Sequence, residues 1–271
     1  MGVDPKMAAN SLQIGNSQAP PLQLACMEIW GGNTFINSPV ELPGLHGWIH
    51  SKPLEPATSG GDVYYLSVCS AGCLSRIVLA DVAGHGQGIG PVAVELRDLV
   101  RKHINTMDQS DLMRGINEAF GGSAADITQY ATAAVLGYYS ETRDLVFANA
   151  GHPPVLWYSA SAGKWDWLQE QTSRPEELLE GLPLGLIAGT KYSQSAVRLG
   201  PGDRLIIYTD GVTETEDDKG NELGYRGLLA LARNLVVRDP ASMGADLLSA
   251  IESFAAASPV ADDFTILILS S

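Results

Sequence analysis

The sequence is poor in cysteine, in basic residues and in long apolar stretches, and each shortage excludes a class of protein. Only three of its 271 residues are cysteines, Cys26, Cys69 and Cys73. So sparse a set cannot form a disulfide framework and favours free thiols in a reducing compartment. Lysine and arginine number 17 against 31 aspartate and glutamate residues, for a formal net charge of -14. This excess disfavours nucleic acid and anionic membrane surfaces as partners, and it favours cation binding.

No apolar run approaches the roughly 18 residues of a membrane-spanning helix, and the N-terminus lacks the basic and apolar regions of a secretory signal. We therefore expect a cytoplasmic protein without membrane contact. The 45% apolar content suffices for a sizeable core. Residues 1–22 are predicted to be a flexible N-terminal arm, because they are mostly small and polar, and residues 23–271 a single domain.

Signatures of several phosphate chemistries are also missing. Where a cysteine-dependent phosphatase needs its arginine, this chain has Gly32, Ser75 and Leu79. The glycine-rich residues 84–90 contain no lysine followed by serine or threonine, so they are not a P-loop, and Ile89 stands where a dinucleotide-binding turn needs its third glycine. A Gly-x-Ser-x-Gly nucleophile elbow is absent as well.

The stretch around Asp81 is the most informative local pattern in the chain. Residues 75–80 are apolar and β-branched, which predicts a buried strand, and apolar residues from Ile89 onward recur on one face of a helix. The glycine-rich turn between them brings backbone close to a carboxylate at the end of a core strand. Taken alone, the segment fits an ordinary strand–turn–helix connection equally well.

Acidic residues stand at the ends of other predicted strands too, namely Asp62, Asp210 and the doublet Asp262-Asp263. If these carboxylates converge in a partly buried site, a cation or protonation has to offset their repulsion. Oxygen ligands without histidine or cysteine suit Mg²⁺ or Mn²⁺ rather than zinc. Two such ions sharing a carboxylate would lower the pKa of a water between them, which is the chemistry of metal-assisted phosphate-ester hydrolysis.

The order of the predicted elements indicates an α+β fold with antiparallel sheets. Helical patterns come in two pairs, one mid-chain and one late, and strands come in hairpins: residues 63–68 with 76–80, and 130–139 with 145–150. Residues 24–30 are predicted to form a first strand that ends at Gly31-Gly32. Residues 212–225 are acidic and polar, and we predict a mobile surface flap there.

Motifs of a known family occur in order along the chain: Gly60-Gly61-Asp62, Asp81-Val82-Ala83-Gly84-His85-Gly86, Asn149-Ala150-Gly151-His152-Pro153-Pro154, Gly181-Leu182-Pro183-Leu184-Gly185, residues 203–214 and Asp262-Asp263-Phe264-Thr265. Over residues 45–270 the sequence thereby resembles the bacterial metal-dependent serine phosphatases of the SpoIIE/RsbU type, a branch of the PPM (PP2C-like) family. The resemblance implies an αββα sandwich: two antiparallel sheets face to face, each with a helix pair on its outer side.

The same resemblance implies a site for two Mn²⁺ or Mg²⁺ ions. The residues it implies are Asp81 as the bridging ligand, the Val82 carbonyl beside it, Asp62, Asp210 and Asp262 as the other catalytic metal ligands, and Asp263 as a further metal ligand. Asp62 would serve one ion, and Asp210 with Asp262 the other. The acidic doublet leaves open which of its two members binds metal.

The implied reaction is hydrolysis of phosphoserine or phosphothreonine on a partner protein by a metal-bridging water. The implied substrate is a STAS-domain regulator of the anti-anti-sigma type, with input from a separate sensor or activator protein. Two alternatives stay open, a catalytically weak PP2C-like binding module and a small-molecule phosphoesterase. Ala83 replaces the proposed general-acid histidine of the eukaryotic branch. We do not transfer that role to His85, and we interpret His152 as structural.

Overall fold

A computed structural model describes residues 22–23, 29–69, 72–84, 88–122, 129–168, 181–256 and 258–271. The strands within these ranges are β1 (Leu22–Gln23), β2 (Ile29–Thr34), β3 (Ile36–Leu42), β4 (Leu45–Lys52), β5 (Ser59–Cys69), β6 (Leu74–Val82), β7 (Ala131–Tyr139), β8 (Asp144–Ala150), β9 (Leu156–Ser159), β10 (Lys164–Trp167), β11 (Ser195–Arg198), β12 (Arg204–Tyr208) and β13 (Phe264–Ser270). The helices are α1 (Gly90–His103), α2 (Gln109–Gly122), α3 (Asp210–Thr213), α4 (Gly224–Asn234) and α5 (Pro240–Ala255).

The strands form two sheets. The seven-stranded sheet has the order β1-β3-β4-β13-β12-β9-β10, and the six-stranded sheet has the order β11-β8-β7-β6-β5-β2. Every pairing is antiparallel except that of β1 with β3. The antiparallel α+β class predicted from the sequence is therefore confirmed.

Alternation along the strands sends one face of each sheet inward and the other toward helices. In β6, Ile77 and Leu79 enter the core between the sheets, whereas Val78 and Ala80 pack on the other side under α1 and α2. The inter-sheet core takes residues from both sheets, among them Ile49, Leu66, Leu136, Ile207 and Leu267. On the outer face of the seven-stranded sheet, Leu228 of α4 and Met243 of α5 join a third cluster. These layers make the predicted αββα sandwich.

The first strand differs from the prediction. It was expected to end at Gly31-Gly32, but β2 continues through both glycines and pairs with β5. A Cβ on Gly31 would lie 2.7 Å from a ring carbon of Tyr65, and one on Gly32 would lie 2.5 Å from the Tyr64 hydroxyl. The two glycines thus make room for the tyrosines of β5, the neighbouring strand in the sheet, and do not end β2. Residues 24–28 lie outside the described residues.

The predicted surface flap at residues 212–225 is wrong at both ends, because each end is anchored in the core. Val212 in the single turn α3 is fully buried, and Leu223 is 7% exposed just before α4. Within this segment, the Leu223 amide donates to the Thr215 carbonyl at 2.8 Å, and the backbones of Glu216 and Glu222 form an isolated antiparallel β-bridge.

The predicted N-terminal arm lies outside the described residues except for Leu22, which pairs with Val40 through β1. The division into an arm and a single domain stays a prediction. None of the described helices is long and apolar enough to cross a bilayer.

Candidate metal centre

One cross-strand row of the six-stranded sheet carries Asp62 and Asp81. Asp62 of β5 pairs with Asp81 of β6, which pairs in turn with Thr132 of β7. Their strand neighbours Val63 and Ala80 face the helix layer. Because side chains alternate along a strand, the row itself faces the other sheet. The sequence predicted a carboxylate at the end of β6, and the pairing of β5 with β6 places a second carboxylate, that of Asp62, beside it.

The seven-stranded sheet brings its aspartates to the same edge. β12 and β13 are antiparallel, with Tyr208 opposite Ile266. The end of β12 and the beginning of β13 therefore meet. Asp210 follows β12 at the start of α3, and Asp262-Asp263 precedes β13. All the sequence-predicted aspartates thus lie at one edge of the sandwich.

Asp62 joins the two sheets across this edge. Its Oδ2 atom accepts hydrogen bonds from the Thr209 hydroxyl at 2.8 Å and from the Thr265 hydroxyl at 2.6 Å. The residue is only 3% exposed, and its Oδ1 atom has no hydrogen-bond partner among the described residues. A buried carboxylate oxygen without a partner is costly unless a ligand satisfies it.

The two members of the acidic doublet have different surroundings. Asp263 is 3% exposed; its Oδ1 atom accepts from the Leu54 amide at 2.6 Å, and its Oδ2 atom accepts from the Gly61 amide at 2.5 Å. Asp262 is only partly buried, and its Oδ1 atom accepts from the amide of Asp263 at 2.8 Å. Both oxygens of Asp263 are thus engaged by backbone, a role that the sequence analysis missed.

The pKa values of three aspartates in the site are raised. Burial raises the pKa of Asp81 to about 10, and the negative charges of the neighbouring aspartates add to the shift. Burial also raises the pKa of Asp62, although the hydroxyls of Thr265 and Thr209 oppose that effect. The pKa of Asp210 is raised as well, mainly by burial. Without a cation, Asp81 therefore retains its proton at neutral pH.

Glu214 and Tyr225 are nearby residues that the sequence analysis did not single out. Partial burial, followed by the charges of Asp210 and Asp262, raises the pKa of Glu214. Burial raises the pKa of Tyr225, and Asp210 and Glu214 add to that shift. The short helix α3 and the hydrogen bond between Leu223 and Thr215 bring Glu214 and Tyr225 near the aspartates. No local sequence pattern predicts this contact.

The donor set at this edge fits hard divalent cations. It consists of carboxylate oxygens and the Val82 carbonyl, which Mg²⁺ and Mn²⁺ prefer over nitrogen or sulfur. Gly61 keeps the space open, since a Cβ there would lie 2.9 Å from the Val82 carbonyl oxygen and 3.3 Å from Asp81 Oδ1. Among the described residues, no three acidic, histidine or cysteine side chains form a ready-made cage.

His152, interpreted from the sequence as structural, is fully buried behind this edge. Its Nδ1 atom lies 2.8 Å from the Thr132 hydroxyl, and its amide donates to Asn149 Oδ1 at 2.7 Å. Burial lowers its pKa to about 3, and the nearby Tyr208 backbone opposes this only partly. The imidazole is therefore neutral at physiological pH. His85, which follows Asp81 in the glycine-rich turn, lies outside the described residues.

Comparison with solved structures supports the same fold. The SiaA-PP2C domain of Pseudomonas aeruginosa superposes with a TM-score of 0.70 at 19% identity, covering 83% of this chain and 85% of that chain. The catalytic domain of the serine threonine protein phosphatase PstP, solved in complex with 2 manganese ions, gives a TM-score of 0.57 at 15% identity, covering 83% of this chain and 97% of that chain.

Sequence comparison identifies the family. Phosphoserine phosphatase RsbP of Bacillus subtilis (strain 168) is 26% identical over 145 residues, which cover 51% of this chain and 33% of that relative. The chain spans between 33% and 41% of the length of three curated relatives that it matches. The family described as Stage II sporulation protein E (SpoIIE) matches residues 74–271, from the start of β6 to the end of the chain. With most of its length matched, the chain belongs to the SpoIIE family.

Proposed function

We propose that this chain is a metal-dependent phosphatase that hydrolyses phosphoserine or phosphothreonine on a partner protein. The observation that carries the proposal is the convergence of aspartates from both sheets at one edge, with the pKa of Asp81 raised to about 10. When buried carboxylates converge in this way, a divalent cation can offset the cost of ionising them together. When bound, two Mn²⁺ or Mg²⁺ ions would neutralise phosphoryl oxygens and activate a bridging water as the nucleophile.

The residues have separate tasks in this proposal. Asp81 lies at the centre of its cross-strand row and is the proposed bridging ligand, with the Val82 carbonyl beside it. Asp62 would bind one ion through its Oδ1 atom, which has no hydrogen-bond partner among the described residues, while Thr209 and Thr265 hold its other oxygen in place.

The second ion would be held by Asp210 and Asp262. We assign Asp263 a positioning role, because the amides of Leu54 and Gly61 already engage both of its oxygens. Since Gly61 precedes Asp62, the Asp263 carboxylate fixes the strand that carries the Asp62 ligand. Hydrogen bonds to a charged acceptor are among the stronger ones in proteins, which suits this role.

The proposed substrate is a phosphorylated protein rather than a metabolite. The curated relatives RsbP and RsbU are named phosphoserine phosphatases, which supports phosphoserine as the group hydrolysed. We carry forward the expectation that the partner is a STAS-domain regulator and that a separate sensor or activator protein controls the reaction. The sparse cysteines support the cytoplasm as the proposed compartment.

The test combines two substrates with two site variants. Wild-type protein should hydrolyse p-nitrophenyl phosphate and a phosphoserine STAS-domain protein only when Mn²⁺ or Mg²⁺ is added. Asp81→Asn and Asp210→Asn should abolish both activities, whereas the exposed Asp166→Asn, which loses only an ion pair with Lys164, should retain them. Calorimetry with Mn²⁺ separates the alternatives.

A protein that binds Mn²⁺ but hydrolyses neither substrate is a binding module. One that hydrolyses p-nitrophenyl phosphate and small phosphoesters but no phosphoprotein is a small-molecule phosphoesterase. Activity retained in both folded site variants would refute the assignment of the site.

A further inference from the structure

Next to Asp81 in its cross-strand row stands a hydroxyl that has no role in the proposed metal coordination. Thr132 of β7 is directly opposite Asp81, and on the same strand Ala133 and Val135 face the helix layer. Thr132 therefore faces the other sheet, as Asp62 and Asp81 do. Directly opposed residues of an antiparallel pair have Cβ atoms about 5 Å apart. A displacement of Thr132 would therefore also displace the Asp81 side chain.

His152 occupies the space behind this hydroxyl. Its Nδ1 atom lies 2.8 Å from the Thr132 hydroxyl oxygen. The turn that carries it is closed by Asn149, which accepts from the His152 amide at 2.7 Å and donates to the His152 carbonyl at 2.9 Å. Ring and backbone are thus both held, and the side chain is fully buried.

The same ring also reaches the seven-stranded sheet. It lies near enough to the Tyr208 backbone for that group to influence its titration, although Nε2 has no well-formed hydrogen bond among the described residues. Tyr208 ends β12, and the next residue, Thr209, donates to Asp62. His152 therefore stands between the β7 strand beside Asp81 and the β12 strand that leads to Asp210.

The charge state of His152 matters at this place. Burial lowers its pKa to about 3, so the ring stays neutral across the physiological range. A cationic ring there would oppose the binding of divalent ions by like-charge repulsion. A neutral ring fills the space between the two sheets and makes one hydrogen bond, to the Thr132 hydroxyl, without adding a positive charge beside the cation site.

We propose that His152 is a positioning residue of the catalytic edge, which holds Thr132 beside Asp81 and fixes the spacing between the two sheets there. The proposal rests on the proposed function, because it assigns His152 a task at that same site. A residue that supports metal ligands from behind typically changes metal affinity or activity by about 10- to 100-fold when it is replaced. We expect an effect of that size.

Two matched pairs of variants test the contact from both sides. His152→Leu removes the ring nitrogen at similar volume, and His152→Asn keeps a polar acceptor. Thr132→Val removes the hydroxyl, and Thr132→Ser keeps it. The measurements are the Kd for Mn²⁺ by calorimetry, kcat and KM for p-nitrophenyl phosphate, and the Tm of the cation-free protein. Leu247→Ala, a core change in α5, is the control for lost stability alone.

The expected result is that His152→Leu and Thr132→Val raise the Mn²⁺ Kd about 10-fold or more and lower kcat, with little change in KM. His152→Asn and Thr132→Ser should keep most of both, and Leu247→Ala should lower Tm alone. The double variant His152→Leu/Thr132→Val should be no worse than His152→Leu, since both remove one contact.

The proposal is overturned if folded Thr132→Val and His152→Leu have wild-type Kd and kcat and lose only Tm. It is also overturned if their effects multiply in the double variant. The Thr132 pair preserves the test should His152→Leu fail to fold. Wild-type protein that neither binds Mn²⁺ nor hydrolyses phosphate contradicts the proposed function itself, whereas an active wild type with unaffected variants contradicts only the role of His152.

Discussion

Binding of Mn²⁺ should release protons, because the site is protonated before the cation arrives. Burial and neighbouring charges raise the pKa of Asp81 from its usual 3.8 to about 10, so this carboxyl carries a proton at pH 7. A cation that binds the ionised form must displace that proton. We therefore expect at least about one proton released per protein at pH 7, and a Kd that falls about tenfold per pH unit between pH 6 and 9.

The assay is calorimetry in two buffers that differ in ionisation enthalpy but not in pH. The difference in observed enthalpy, divided by the difference in ionisation enthalpy, gives the number of protons released. Asp81→Asn has no such proton, so any residual Mn²⁺ binding by this variant should release fewer protons and depend less on pH. Mn²⁺ binding by the wild type with no proton release, and with a Kd independent of pH, would show that the carboxylates are already ionised and would refute the reasoning.

Three further predictions concern stability and geometry at the same edge. Asp262→Asn should weaken Mn²⁺ binding with little loss of Tm. Asp263→Asn should instead cost about 1.5–3 kcal/mol of unfolding free energy, because a charged acceptor of the Leu54 and Gly61 amides is lost. Calorimetry measures the first effect and denaturant unfolding the second, and the reverse pattern would exchange the roles of the two residues. Gly61→Ala should weaken Mn²⁺ binding, because its Cβ would lie 2.9 Å from the Val82 carbonyl oxygen, and an unchanged Kd would remove that carbonyl from the site. The cation-free protein should lose stability as pH rises from about 4 toward 10, because burial raises the pKa of the site aspartates above their unfolded values. The gain in Tm on adding Mn²⁺ should therefore be larger at pH 8.5 than at pH 6. An equal gain at both pH values would contradict this.

The parts of the fold that could be predicted are those with a strong local pattern. Strands β6 and β12 are apolar and β-branched and end beside Asp81 and Asp210, so the sequence indicates both the strand and the acid at its end. Strands β3 and β11 were not predicted. The burial of β3 is irregular and it contains Pro39, and β11 is a four-residue edge strand, so neither carries a clear period of two.

The distinction between Asp262 and Asp263 could not be predicted, because it depends on contacts between distant parts of the chain. The Leu54 and Gly61 amides that engage Asp263 are 209 and 202 positions away in sequence. The prediction that the strand ends at Gly31 and Gly32 was wrong for a related reason. Their lack of a side chain serves Tyr64 and Tyr65 on a neighbouring strand, which a local reading as a strand end does not reveal.

The most direct test of the account is the anomalous difference density of a crystal grown with Mn²⁺. The account predicts two manganese peaks at the edge where the sheets meet, both within bonding distance of the Asp81 carboxylate, with Asp62 on one and Asp210 on the other. Density for no ion beside Asp81, in a crystal whose aspartates are well ordered, would contradict it.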